Sequence, residues 1–170
     1  MGKRGIEILG LNREELVTTL NEALSEEWLA YYQYWVGARV MEGPMRSEIE
    51  SELLLHADQE LNHAVMVVTR ITQLGGTPVL TPADWMKLSS CAYEAPVDPY
   101  IEEVLNQNLN GERCAIARYK GLADMTNGKD HATFQMASTI LTEELEHEQD
   151  IEDWLLDINR LKEDLKKLRL

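Results

Sequence analysis

Four long stretches of this chain carry apolar residues spaced alternately by four and three positions, and few helix-breaking residues lie between them. That spacing places the apolar residues on one face of an α-helix. The first stretch covers residues 12–42 and stops at Gly43-Pro44. The second covers residues 45–74 and stops at Gly75-Gly76, both strong breaker pairs. A connection over residues 77–99 follows, with Pro78, Pro82, Pro96 and Pro99 and a short helix predicted at 83–88. The third stretch starts after Asp98-Pro99, an N-cap followed by Pro at the first helical position, and ends at Asn127-Gly128. The fourth begins near Asp130 and continues almost to Leu170. No useful length alternates with a period of two, so essentially no sheet is expected.

Loop lengths fix the topology. Short loops join antiparallel neighbours, so helix one pairs with helix two and helix three with helix four. A 30-residue helix is ~45 Å long, and extended chain covers ~3.3 Å per residue. The connection of 23 residues (77–99) therefore has the reach to run the length of the bundle and leave helices two and three parallel. The expected fold is all-α: one domain over residues 1–170, a four-helix bundle with one long crossover between helices two and three.

Near the middle of each apolar seam stands a carboxylate. In helix one, Glu27 lies between Ala23 and Ala30; in helix three, Glu112 lies between Asn108 and Ala115. Helices two and four each offer a Glu with a His three residues later: Glu60 with His63, and Glu144 with His147. A Glu and a His at that spacing share one helix face and can reach one metal ion. His56 and His131 have Leu53 and Gly128 at the matching position and do not repeat the motif. Four carboxylates in an apolar interior cost several kcal/mol per ion unless protonated, paired or metal-bound. Two divalent cations balance four carboxylates and two neutral imidazoles. His56 and Arg70 also interrupt a seam and are expected to be satisfied polar core or bundle-end residues. Glu26, Glu143, Glu146 and Glu148 are expected to be charges on the solvated face.

This ligand set resembles the pattern of the ferritin-like di-iron superfamily, and the likeness covers nearly the whole chain. The run Glu27-Trp28-Leu29-Ala30-Tyr31-Tyr32-Gln33-Tyr34 is similar to the first-helix motif of bacterioferritins, in which a Tyr follows the ligand Glu by seven residues. The resemblance implies two iron ions per subunit. Glu27 and Glu112 would be terminal ligands, Glu60 and Glu144 bridges, His63 and His147 one on each iron, and Tyr34 a nearby hydrogen-bonding residue. Bacterioferritins carry a haem-ligating Met directly after the helix-two Glu; here Leu61 stands there, and no haem is predicted. The chain has little room for a fifth helix, which favours a 12-subunit shell over one of 24.

Cys91 and Cys114 are the only cysteines. Without CxxC spacing they exclude a rubredoxin-type or zinc-ribbon site. Cys114 lies two residues after Glu112 and faces away from the seam, towards the expected path of the crossover. The residues alone leave two unrelated buried thiols slightly ahead of a disulfide. The resemblance extends to the thioferritins, a bacterioferritin-related, Dps-like group with a cysteine pair beside the site and a dodecameric shell, and it implies the pairing.

The implied activity is that of a ferroxidase. It would oxidise Fe(II) with hydrogen peroxide or dioxygen, store the product as mineral in the shell, and protect against oxidative stress. An oxygen-rich ligand set favours Fe(III), the harder ion. The alternatives are a di-iron peroxidase or oxygenase, or a manganese catalase, none storing mineral; a bundle without chemistry would bind no metal tightly. The formal charge of −14 argues against non-specific nucleic-acid binding, which runs on Lys and Arg. Lys162, Lys166, Lys167 and Arg169 are interleaved with Glu163 and Asp164 and are read as favourable charge at a helix C-terminus, so DNA binding is not expected. No apolar run approaches ~18 residues, and residues 6–11 are too short for a signal peptide and include Glu7. A cytoplasmic location is the default expectation.

Overall fold

A computed structural model describes residues 3–168. The expected reach of the last helix towards Leu170, and Arg169 with it, lie outside the described residues. Four long helices form the bundle: α2 (Arg13–Val40), α3 (Arg46–Gln73), α5 (Ile101–Thr126) and α6 (His131–Leu168). Two short helices complete the set, α1 (Lys3–Glu7) ahead of the bundle and α4 (Trp85–Leu88) inside the crossover after a single 3-10 turn at Pro82–Asp84. The sequence reading had no counterpart for α1, which buries nothing and so leaves no apolar seam to detect. The only bridge pairing among the described residues is isolated, between Glu42 and Tyr100.

The ends of the helices follow local chemistry. The Asn12 side chain accepts from the backbone N–H groups of Glu14 and Glu15 and caps α2. Gly128, at φ +70°, supplies the left-handed residue of the tight turn between α5 and α6. The start of α5 departs from expectation. Asp98 and Pro99 are not its cap and first residue; the helix begins at Ile101 after Tyr100. The Ile101 N–H donates to the Glu42 carbonyl at 2.8 Å and the Glu42 N–H to the Pro99 carbonyl at 2.7 Å. Residues 99–100 are therefore held extended against the end of α2, while Asp98 accepts from the Tyr100 N–H.

Side-chain pairs show the helix directions. His63 meets Glu143 and His147 meets Gln59, so α3 and α6 run antiparallel. Tyr34 meets Glu112 and Tyr119 meets Glu27, so α2 and α5 also run antiparallel. With the two short-loop hairpins, α3 and α5 are left parallel, as the crossover length requires. Apolar packing lies on both sides of the polar middle. One cluster includes Leu16, Leu20, Val67, Leu122 and Ile140; the other includes Met41, Leu53, Ile101, Leu105 and Ile151. At one end of the bundle Arg70 is buried and satisfied, its guanidinium donating to both Asp130 oxygens at 2.8–2.9 Å and to the Thr133 hydroxyl at 2.7 Å.

The crossover is strapped to α2 and α5. Asn21 accepts from the Val79 N–H and donates to the Thr77 carbonyl. Trp28 stacks on Trp85 with centroids 5.4 Å apart. Glu26, expected on the solvated face, is 5% exposed. Its Oε1 accepts from the backbone and hydroxyl of Ser90, and Arg118 donates to both its oxygens. The passage of the crossover over this face explains the difference: it turns an outward-facing carboxylate into a buried anchor. Cys91 and Cys114 form a disulfide beside it, with their Cα atoms 5.7 Å apart.

Candidate metal centre

Between the two apolar clusters the four long helices turn six ionisable side chains towards one point. Glu27 comes from α2, Glu60 and His63 from α3, Glu112 from α5, and Glu144 and His147 from α6; each is no more than 2% exposed. They fall into two sets. Glu27, Glu60, His63 and Glu144 bring ligand atoms within 4.8 Å of one another, and so do Glu60, Glu112, Glu144 and His147. Glu60 and Glu144 belong to both.

The two shared carboxylates straddle the sets. Around His63 Nδ1 lie Glu144 Oε1 at 3.2 Å, Glu27 Oε2 at 3.5 Å and Glu60 Oε2 at 3.6 Å. Around His147 Nδ1 lie Glu60 Oε1 at 3.2 Å, Glu144 Oε2 at 3.4 Å and Glu112 Oε2 at 3.6 Å. Glu60 and Glu144 thus place one oxygen in each set, the arrangement of a bridging carboxylate. The atoms aimed at the middle are buried without a hydrogen-bond partner: Glu27 Oε2, Glu60 Oε1, Glu112 Oε2, both Glu144 oxygens, and Nδ1 of His63 and His147. Buried polar atoms are normally paired, and an unpaired one costs roughly 1–3 kcal/mol. So many orphans converging on two points fit two divalent cations.

The remaining atoms of these groups are engaged, which fixes their orientation. His63 Nε2 lies 2.6 Å from Glu143, and His147 Nε2 lies 3.0 Å from the Gln59 amide oxygen. An Nε2–H donating outward leaves the Nδ1 lone pair free for a metal. Glu143 is therefore half-buried and positions a histidine, whereas sequence reasoning put it on the solvated face. Tyr34 donates to Glu112, on the helix opposite, and not to Glu27 on its own helix. Tyr119 does the same for Glu27. Sequence reasoning passed over Tyr119 and Gln59, yet both leave a signal. Tyr119 follows Glu112 by the seven residues that separate Tyr34 from Glu27. Gln59 precedes Glu60 as Glu143 precedes Glu144.

His56 is buried but not satisfied. Its ring stacks on His147 with centroids 4.2 Å apart, Nε2 lies 3.4 Å from Asp150, and Nδ1 has no partner. Burial and the neighbouring His147 pull its pKa to about 3, so it is neutral. Glu146 is exposed, as expected, and Glu148 is half-buried in a surface pair with Arg113.

Without metal, the centre balances its charge with protons. Burial raises Glu27 and Glu112 well above the ordinary carboxylate range, with repulsion from neighbouring carboxylates adding to it. Burial opposes the imidazolium of His147, but the carboxylates of Glu112, Glu144 and Glu60 close around it outweigh that and push its pKa up to about 12. His63 is raised in the same way by Glu144, Glu27 and Glu60. Burial also opposes ionisation of Glu60, yet the nearby His147 and His63 bring it down to about 2.

Fold and site together define a four-helix-bundle protein with a buried cluster of carboxylates and histidines able to hold metal ions. The family profile described as ferritin-like domain matches residues 17–161, and the chain belongs to that family. It is 35% identical over 158 residues to a "DNA protection during starvation protein" of Pyrococcus furiosus, covering 90% of this chain and 83% of that protein. Among solved structures it is similar to the bacterioferritin-related protein of Bacteroides fragilis, described as a dodecameric thioferritin. That match has TM-score 0.94 and 50% identity, over 96% of this chain and 98% of that one. Dps from Thermosynechococcus elongatus shares the fold, with TM-score 0.80 and 15% identity, over 90% of this chain and 95% of that one.

Proposed function

We propose that the chain is a ferroxidase acting as one ferritin-like unit, which binds two Fe(II) as substrate between the six central side chains. The observation that carries this reading is the pair of overlapping ligand sets with buried, unpartnered donor atoms. Glu27, Glu60, His63 and Glu144 hold one ion; Glu60, Glu112, Glu144 and His147 hold the other. Each Fe(II) gives up one electron. Hydrogen peroxide accepts both, its O–O bond breaks, and two protons complete two water molecules. Tyr34 and Tyr119 hold the two terminal carboxylates in place, while Glu143 and Gln59 hold the two imidazoles. Oxidised iron leaves as mineral inside a shell of identical chains.

The likeness to the dodecameric Bacteroides fragilis protein supports a shell of 12. Apolar surface left exposed on the single chain, including Tyr32, Trp35, Leu55, Val65, Leu145 and Leu156, supports association with further copies without setting their number. Removing Fe(II) and peroxide together protects a cell from oxidative damage, and a cytoplasmic site fits that purpose. No described helix is long and apolar enough to cross a membrane.

The test is anaerobic addition of Fe(II) to the purified protein, then hydrogen peroxide or, separately, air. Absorbance follows oxidation, and size-exclusion chromatography follows the iron. Oxidation with iron retained well beyond the dinuclear load, in a large assembly, is expected. Oxidation that stops at the dinuclear load would instead show an enzyme without mineral storage.

A further inference from the structure

The Cys91–Cys114 disulfide stands between two openings. Inward lies a small cavity, about 30 Å³, lined by Cys91 together with Glu27, Glu60 and Glu112 of the metal centre. Outward lies a surface groove, lined by Cys91 with Met86, Ser90 and Tyr93 of the crossover and Leu29 of α2. Leu29, Cys91 and Ala92 are common to both, and of these only Cys91 has redox chemistry. Cys114 is tied to the centre along the chain, two residues after Glu112 on α5. Both cysteines are half-buried, so a small thiol can approach the bond from outside.

The surroundings hold the two cysteines opposite each other whether or not their sulfurs are bonded. On one side of Cys91, the Ser90 N–H and hydroxyl donate to Glu26 of α2. On the other, the Glu94 N–H donates to Gln33 of the same helix. Cys114 sits in the interior of α5, and Arg118, one turn further on, donates to Glu26 and to the Ser90 hydroxyl. A polar clamp from α5 to the residue before Cys91 therefore runs beside the disulfide and does not depend on it. Two thiols kept facing each other close again readily, and each closure releases two electrons. Two ferric ions, one in each ligand set, take up two.

We propose that Cys91 and Cys114 form a two-electron relay, which passes electrons from a dithiol at the surface groove to two Fe(III) in the centre and so returns stored iron as Fe(II). This rests on the ferroxidase reading and adds to it the reverse step, reductive release. A thiolate of the external dithiol attacks Cys91, the cysteine that lines the groove; the Cys91–Cys114 bond breaks, and Cys114 leaves as a thiolate and takes up a proton. The second thiol of the reductant attacks the mixed disulfide, frees Cys91 and ends as a disulfide. The two protein thiols then give one electron to each Fe(III), lose two protons and close again. In sum, one dithiol becomes a disulfide, two Fe(III) become Fe(II), and two protons are released.

The relay is tested first in a single turnover without air. The assembled protein is treated with dithiothreitol and freed of it by desalting, and its thiols are titrated; a disulfide that resists reduction overturns the proposal. Fe(III) is then added as its nitrilotriacetate complex. Both thiols are expected to disappear while two Fe(II) per chain are trapped by bipyridyl. Zinc in place of Fe(III) should leave the thiols intact. Glu60→Ala, which lacks a ligand common to both sets, should keep most of its thiols over the same interval. Thiols that survive Fe(III) in the parent chain, or that vanish equally fast in Glu60→Ala, overturn the proposal.

Protein loaded with iron and oxidised supplies the second measurement. Dithiothreitol with bipyridyl is expected to release Fe(II) faster from the parent than from the doubly substituted Cys91→Ser, Cys114→Ser chain. Dithionite, which needs no thiol, should release it equally from both. Equal release under dithiothreitol, or slower release from the variant under both reductants, overturns the relay. A parent chain that oxidises Fe(II) with neither peroxide nor air overturns the ferroxidase reading instead; a chain that does oxidise Fe(II) but fails these two measurements overturns the relay alone.

Discussion

Glu27 and Glu112 sit in the metal-free centre as carboxylic acids, and His63 and His147 as imidazolium ions, because burial and mutual repulsion leave protons as the only available counter-charge. A metal ion needs the carboxylate and the neutral imidazole, so binding must expel those protons. All four groups have pKa values raised in the metal-free state. Their protons therefore compete harder as pH falls, and affinity for Fe(II) rises with pH through the neutral range. Anaerobic calorimetry in buffers of different ionisation enthalpy should show net proton release on binding; a heat that does not depend on the buffer would contradict this charge balance. The six ionisable groups were legible in the sequence because each interrupts an apolar seam. Their supports were less so. Gln59 and Glu143 stand beside the seam, and only the helix opposite decides whether such a residue meets solvent or a histidine. Tyr34 pairs across the bundle because α2 and α5 are antiparallel, a relation set by the crossover and not by spacing along one helix.

The crossover is the element whose role was hardest to read. Its prolines marked it as non-helical and its length as a full traverse, but nothing periodic showed where it would lie. Its contacts are polar anchors scattered in sequence: Asn21 to Val79, Gln33 to Glu94, and Glu26 with Arg118 to Ser90. The disulfide joins it to α5 across a sequence separation of 23. Closing a loop of that size in the unfolded chain is worth about 3 kcal/mol by chain entropy. The oxidised protein should therefore melt several degrees above the same protein treated with a thiol reductant, as followed by circular dichroism. Equal melting temperatures would show that the polar anchors hold the strap without it. The start of α5 shows how tertiary contact overrides a local signal. Asp98-Pro99 reads as a helix start, yet pairing with Glu42 delays the helix to Ile101.

At the scale of the whole molecule, the apolar seams, two short breaks and one long connection specify the bundle, and the interruptions in those seams specify where its chemistry lies. The net charge of −14 is unevenly used: four carboxylates are buried at the centre, and most others face outward, where a shell would concentrate cations. The account depends on one claim, that the orphaned groups in the middle of the bundle are a site for two divalent ions. Anaerobic titration of the metal-free protein with Fe(II), beside the variant Glu60→Ala, tests it most directly. The parent chain should saturate at two Fe(II) per chain, one for each ligand set, and Glu60→Ala, which removes a ligand from both sets, should not bind the pair. Saturation at one ion or none in the parent chain, or an undiminished pair in Glu60→Ala, would contradict the account.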